Sequence, residues 1–90
     1  MNKNIKEICL YLANTDNPAT IESLLKSIFT AAELKDLDSR WQIIKQLQEG
    51  EPQRSIAKNL GVSLCKITRG SKELKKPNSI LKKALKTLEQ

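Results

Sequence analysis

Ala57, Gly61, Val62 and Ile67 stand at the spacing that two short helices need if they are to cross closely over a three-residue turn. The alanine is small enough to let the second helix approach, and the glycine accepts the positive φ that such a turn requires. The surrounding stretch "EPQRSIAKNLGVSLCKITRGSKELKK" carries matching punctuation. Pro52 suits the first turn of a helix whose inner face is Ile56, Ala57 and Leu60, and Gly61 stops it. Ser63 is a good N-cap for the next helix, which runs from Leu64 to about Lys75 with Ile67 and Leu74 inward and is ended by Pro77. That second helix is basic, and a glycine, Gly70, interrupts its middle. The reason for that glycine is the question the sequence raises.

The rest of the chain also repeats apolar residues at helical spacing. Ile5, Ile8 and Leu12 define a first helix from about Lys3 to Asn14, and "NTDNPAT" breaks it. A second helix begins at Ala19 or Thr20 and carries Ile21, Leu24, Leu25 and Ile28 on one face. Thr30 followed three residues on by Glu33 is a capping-box signal, so a third helix begins at Ala31. Its stripe is Leu34, Leu37, Trp41, Ile44 and Leu47, and Gly50 ends it in a left-handed cap. "SILKKALKTLEQ" closes the chain as a sixth amphipathic helix with Ile80, Leu81, Ala84, Leu85 and Leu88 inward. The fold class expected is all-α. Three aromatics in 90 residues (Tyr11, Phe29, Trp41) leave the core to aliphatic side chains, which suits helices better than a β-sandwich. A single domain of this size hides only roughly two thirds of its unfolded surface, and the apolar stripes on the first three helices exceed what one chain can cover. A homodimer is therefore expected. Residues 1–50 read as a helical dimerisation core, 52–75 as a helix-turn-helix and 77–90 as a C-terminal helix.

Charge divides the chain in the same place. Residues 1–51 hold six Lys/Arg and eight Asp/Glu, a balance of −2, whereas residues 52–90 hold ten and two, a balance of +8. Such asymmetry favours a polyanionic partner, although a lysine-rich face can also be simply solvated. Cys9 and Cys65 stand alone with no histidine in the chain, which argues against a zinc site and for a reducing compartment. No apolar run approaches membrane-spanning length and no leader pattern opens the chain, so a soluble cytoplasmic protein is expected. With no histidine, no paired carboxylates in an expected cleft and no phosphate loop, no constellation supports an enzyme.

If the second helix of the pair enters a major groove, Leu64, Cys65, Lys66 and Thr68 near its N-terminus face base edges. Lys58, Lys72 and Lys75 then lie where phosphates pass, and Gln53 and Arg54 reach the duplex from the preceding helix. The competing class is a basic helical adaptor for an acidic protein or membrane surface, for which "ILKKALKTL" is the candidate segment.

The stretch "SRWQIIKQLQEGEPQRSIAKNLGVSLCKITRGSKELK" resembles the trp repressor family, with "ITRGS" directly after the helix-turn-helix as its most specific part. The similarity covers about Ile28 to Leu88. It implies an intertwined six-helix homodimer that binds double-stranded operator DNA when L-tryptophan fills a pocket, with no other cofactor and no membrane. It further implies that Arg40 and Arg69 flank the indole, that Gly70 leaves room for the ligand, and that Thr30 and the backbone around Ser27 and Phe29 hold the carboxylate and ammonium from the other subunit. Guanidinium planes stack on aromatic rings and attract carboxylates, so the assignment is chemically sound. Helix-surface ion pairs, Arg40 with Asp36 and Arg69 with Glu73, are the structural alternative. Three departures stand out. Glu73 replaces a small hydroxyl residue near the ligand's ammonium, and it would either strengthen that contact or tie up Arg69. Lys66 replaces a common threonine, and one residue is missing between Glu51 and Gln53. A related regulator that binds DNA constitutively, or in response to another small molecule, is the alternative that Glu73 raises.

Overall fold

The computed structural model describes residues 2–89, and every regular element among them is α-helical. The elements are α1 (Lys3–Ala13), α2 (Pro18–Ile28), α3 (Ala31–Gln48), α4 (Gln53–Leu60), α5 (Leu64–Lys75) and α6 (Ile80–Leu88). Two compact units divide the chain, Met1–Leu34 and Lys35–Gln90.

In the first unit, side chains satisfy the backbone groups that helix ends leave open. The Asn2 side chain accepts from the Ile5 N–H at 2.9 Å and starts α1. α2 begins one residue earlier than the pattern suggests, at Pro18, because the Asn17 side chain caps it by accepting from the Ala19 N–H at 2.9 Å. The capping box that opens α3 is formed in both directions. The Thr30 N–H donates to Glu33 Oε1 at 2.9 Å, and the Glu33 N–H donates to Thr30 Oγ1 at 3.1 Å. No residue of α1 or α2 is buried.

The second unit holds the core, in two adjoining clusters. Ile43, Ile56 and Ile67 are fully buried, with Leu47, Ala57, Leu60 and Val62 packed around them. Ile44, Leu74 and Leu85 form the other cluster, flanked by Trp41, Leu47 and Leu81. α3 therefore buries two neighbouring residues about 100° apart on its surface, Ile43 toward α4 and α5 and Ile44 toward α5 and α6. The single stripe expected for α3 omits Ile43 because it assumes one packing partner, whereas this helix has several. Leu37, placed in that stripe, is 46% exposed. On α6 the inward side is Leu81, Ala84 and Leu85. Ile80 and Leu88, expected there too, are 74% and 70% exposed: Ile80 is turned about 140° from Leu85, and Leu88 lies uncovered in the last turn.

The turn between α4 and α5 has the form the spacing predicts. Gly61 caps α4 with φ 65°, and the Val62 N–H returns to the Ala57 carbonyl at 3.2 Å. Pro52 stands one position outside α4, at its N-cap with ψ 141°, and not within the first turn. Its carbonyl still accepts the Ile56 N–H at 3.1 Å, so the missing proline N–H falls where no helical bond is due.

Two substitutions separate backbone from packing contributions here. A Cβ at Gly61 meets no atom within 4 Å, so Gly61→Ala should cost only the left-handed backbone penalty, about 1–2 kcal/mol. Ile67→Ala leaves a cavity in a fully buried site and should cost about 2–5 kcal/mol. Urea unfolding of the two variants should rank them in that order; equal losses would contradict this division.

Candidate functional site

Position on α5 sorts its side chains into three faces. At about 100° per residue, Ile67, Ser71 and Leu74 share one side, and all three are buried. Cys65, Thr68, Arg69 and Lys72 share the opposite, exposed side and, with Leu64 of the first turn, line a shallow groove. Lys66, Gly70 and Glu73 run along a third strip, and there α5 faces α3.

Along that third strip lies a cleft of about 230 Å³ lined by Leu37, Arg40, Trp41, Ile43 and Ile44 of α3, Lys66, Arg69, Gly70 and Glu73 of α5, and Leu81 of α6. Its floor is apolar and its charged groups are placed around it, the pattern of a small-molecule site. The volume falls below the roughly 300–1,000 Å³ of pockets for drug-sized ligands.

Gly70 is what lets this cleft exist. A Cβ there would lie 3.1 Å from Ile44 Cδ1 and 3.5 Å from both Ile43 Cγ2 and Leu47 Cδ1. The space freed by the absent side chain is thus filled by α3, and α5 can approach α3 closely while bordering the cleft. The glycine thus lies against α3 and at the same time lines the cleft in which the family resemblance implies room for a ligand.

The cleft's charges are arranged by one carboxylate. Asp36 Oδ2 accepts from Arg40 Nε at 2.8 Å, and Asp36 Oδ1 accepts from Lys66 Nζ at 2.9 Å, a bridge from α3 to α5. The hydrogen bonds from Arg40 and then Lys66 hold the Asp36 carboxyl below its usual range, so it stays ionised at neutral and mildly acidic pH. The Arg40–Asp36 pair foreseen as the structural alternative is therefore formed. The corresponding Arg69–Glu73 pair is not: Glu73 instead accepts from Lys76 Nζ at 3.0 Å. Arg69 makes no ion pair among the described residues, and it borders both the cleft and the outer groove.

Of the residues foreseen for a ligand, Arg40, Arg69, Gly70 and Glu73 converge on the cleft. Ser27, Phe29 and Thr30 belong to the first unit and are exposed. There Ser27 Oγ donates to the Ser23 carbonyl at 2.9 Å, Phe29 caps α2, and Thr30 is engaged with Glu33. Of the residues foreseen for a duplex, Leu64, Cys65, Thr68 and Lys72 share the outer groove, and Lys75, Lys58 and Arg54 are exposed. Gln53 is half-buried, its side-chain oxygen accepting from the Thr68 hydroxyl at 3.4 Å, which ties the start of α4 to α5. Lys66 departs from this group, since it lines the cleft and reaches Asp36. Its spacing from Arg69, Gly70 and Glu73 is the signal that places it there. Trp41 and Leu81, not foreseen for the site, supply apolar wall.

The family model of the Trp repressor protein matches residues 3–89. The chain is 44% identical over 68 residues to a Trp operon repressor homolog of Vibrio campbellii, across 74% of this chain and 68% of that protein. It is 46% identical over 56 residues to one of Chlamydia trachomatis serovar D, across 61% of this chain and 60% of that protein. A homolog of Xylella fastidiosa is 38% identical over 68 residues, 74% of each chain. The matched segments thus span 60% to 74% of these relatives' own lengths. No solved structure matches the chain. With nearly its whole length matched, the chain belongs to the Trp repressor family.

Proposed function

We propose that this protein is a homodimeric transcriptional repressor that binds operator DNA through α4 and α5, with L-tryptophan as the corepressor in the α3–α5 cleft. The observation that carries the reading is the pair of adjoining faces on α5. One strip of the helix lines a cleft that has two guanidinium groups beside apolar side chains, the exposed side presents Leu64, Cys65, Thr68 and Lys72 to solvent, and Arg69 borders both. Family membership and the relatives' description as Trp operon repressor homologs support tryptophan as the effector and an operator as the target.

The mechanism follows from where the ligand sits. An indole between Arg40 and Arg69 stacks on guanidinium planes and rests on Leu37, Trp41 and Leu81. Because the cleft is lined by both α3 and α5, filling it favours one tilt of α5, the tilt that sets its outer face for a major groove. In a dimer, two such helices spaced about one helical turn, roughly 34 Å, meet successive grooves together. Binding energy directed to that conformer makes DNA affinity depend on the ligand. Leu64, Cys65 and Thr68 face base edges, whereas Lys58, Lys72, Lys75 and Arg54 lie toward phosphates, with Gln53 positioning Thr68.

Dimerisation is supported by the first unit, where α1 and α2 bury no residue and Ile5, Ile8, Leu10, Tyr11, Ile28 and Phe29 stay exposed. Apolar area of this extent calls for a second chain. Ser27, Phe29 and Thr30 are the residues through which that second chain completes the ligand's carboxylate and ammonium contacts.

Sedimentation at micromolar concentration should accordingly give twice the chain mass, and a cooperative folded monomer would overturn the proposed assembly. A second test uses duplexes selected by the protein from a random pool in the presence of L-tryptophan, with binding followed by fluorescence anisotropy. Lys72→Ala and Lys75→Ala should each weaken binding to every duplex and flatten the salt dependence by about one unit. Arg69→Ala should leave folding intact and remove the response to tryptophan. An Arg69→Ala protein that still responds fully would rule out the cleft as the effector site.

A further inference from the structure

We propose that Lys66 is a ligand-recognition residue: with Arg40 it forms a carboxylate seat at the rim of the cleft, which Asp36 occupies until the carboxylate of the ligand displaces it. The inference rests on the reading of the α3–α5 cleft as the effector site and extends it to the chemistry that selects the effector.

The seat is visible because Asp36 fills it. One carboxylate gives one oxygen to Arg40 Nε at 2.8 Å and the other to Lys66 Nζ at 2.9 Å, with the two cations arriving from different helices. Both cations line the cleft. This is how two cationic donors hold any carboxylate, so a ligand bearing that group finds its contacts already positioned. The three side chains are each 39–47% exposed, and ion pairs so accessible to water are weak enough for an incoming carboxylate to exchange with Asp36.

The remaining charges support the same selectivity. Arg40, Lys66 and Arg69 face a single lining carboxylate, Glu73, which is engaged outward by Lys76. The cleft therefore favours an anionic ligand and disfavours a purely cationic one. Arg69, free of any ion pair among the described residues, remains available to the ring. The occupant that fits is a planar aromatic carboxylic acid, and L-tryptophan is one member of that class.

Two substitutions distinguish this role from a structural one. Lys66→Met and Asp36→Asn both break the α3–α5 bridge, so a bridge that merely holds the helices predicts that they shift ligand affinity in the same direction. A carboxylate seat predicts opposite shifts. Equilibrium dialysis of the full chain with L-tryptophan, and separately with indole-3-propionate, should show Lys66→Met weakening both ligands about tenfold, the loss of one charge-assisted contact. Asp36→Asn should tighten both by removing the competitor. Shifts of the same sign, or none while Arg69→Ala still abolishes binding, would overturn the seat and leave the effector site standing. Lys66-dependent binding of indole-3-propionate with no binding of L-tryptophan would support the seat and refute tryptophan as the effector. Binding of neither ligand to any form would overturn both.

Discussion

The close approach of α5 to α3 at Gly70 is the constraint on which the rest of the second unit depends. A methyl group at that point would sit 3.1 Å from Ile44 Cδ1, so a larger residue requires that side-chain end to give by a few tenths of an ångström, whereas the 3.5 Å approaches to Ile43 and Leu47 are ordinary contacts. Their separation sets the cleft width, and with it the distance between the Arg40 and Arg69 walls. The same contact fixes the rotation of α5 about its axis, since Ile67 and Leu74 are held in the two core clusters that α3 anchors. Once that rotation is set, the exposed face of α5 follows without further contacts.

A helix fixed in this way is also a helix that can be moved by small changes. Among the described residues, the only ion pair that ties α3 to α5 is Asp36 with Lys66, exposed on both sides, and exposed pairs contribute little. The hydrophobic clusters hold the inner side of α5, while the cleft on its flank is open to a ligand. On the proposed reading, a ligand in that cleft acts on the strip of α5 that faces α3. On the same reading, the charge of +8 carried by residues 52–90 supplies a general attraction for phosphates, on which the orientation of α5 imposes selection.

Much of this was legible in the residues, because local rules and tertiary packing agree. Gly61 has the positive φ that its place after Leu60 demands, Thr30 and Glu33 close the reciprocal box, and Ile56 and Ile67 are buried where the crossing requires them. Where reading failed, more than one partner was in competition. Ile43 was invisible to a single-stripe reading because α3 is packed on two sides. Pro52 fits either the first turn or the cap by residue type, and its extended ψ of 141° places it at the cap. Lys66 is expected beside Leu64, Cys65 and Thr68 at a duplex, and the fold adds that it lines the cleft with Arg69, Gly70 and Glu73 and reaches Asp36, thirty residues away. Arg40 and Arg69 illustrate the opposite case: their i,i+4 carboxylates offered equal local pairs, and only the fold shows that Asp36 takes Arg40 while Lys76 takes Glu73. The roles of Ser27, Phe29 and Thr30 came from family likeness alone, since no local pattern sets them apart.

Coupling between the cleft and the outer face of α5 is the central claim, and linkage makes it directly measurable. If L-tryptophan raises affinity for DNA by some factor, DNA must raise affinity for L-tryptophan by the same factor. Titration calorimetry of L-tryptophan into the protein, alone and saturated with its selected duplex, reads that factor in one experiment. The account predicts one tryptophan per chain, bound about tenfold or more tightly when the duplex is present, a coupling within the usual range for such switches. Equal affinity with and without the duplex would contradict it, because the cleft and the DNA-facing surface would then be independent.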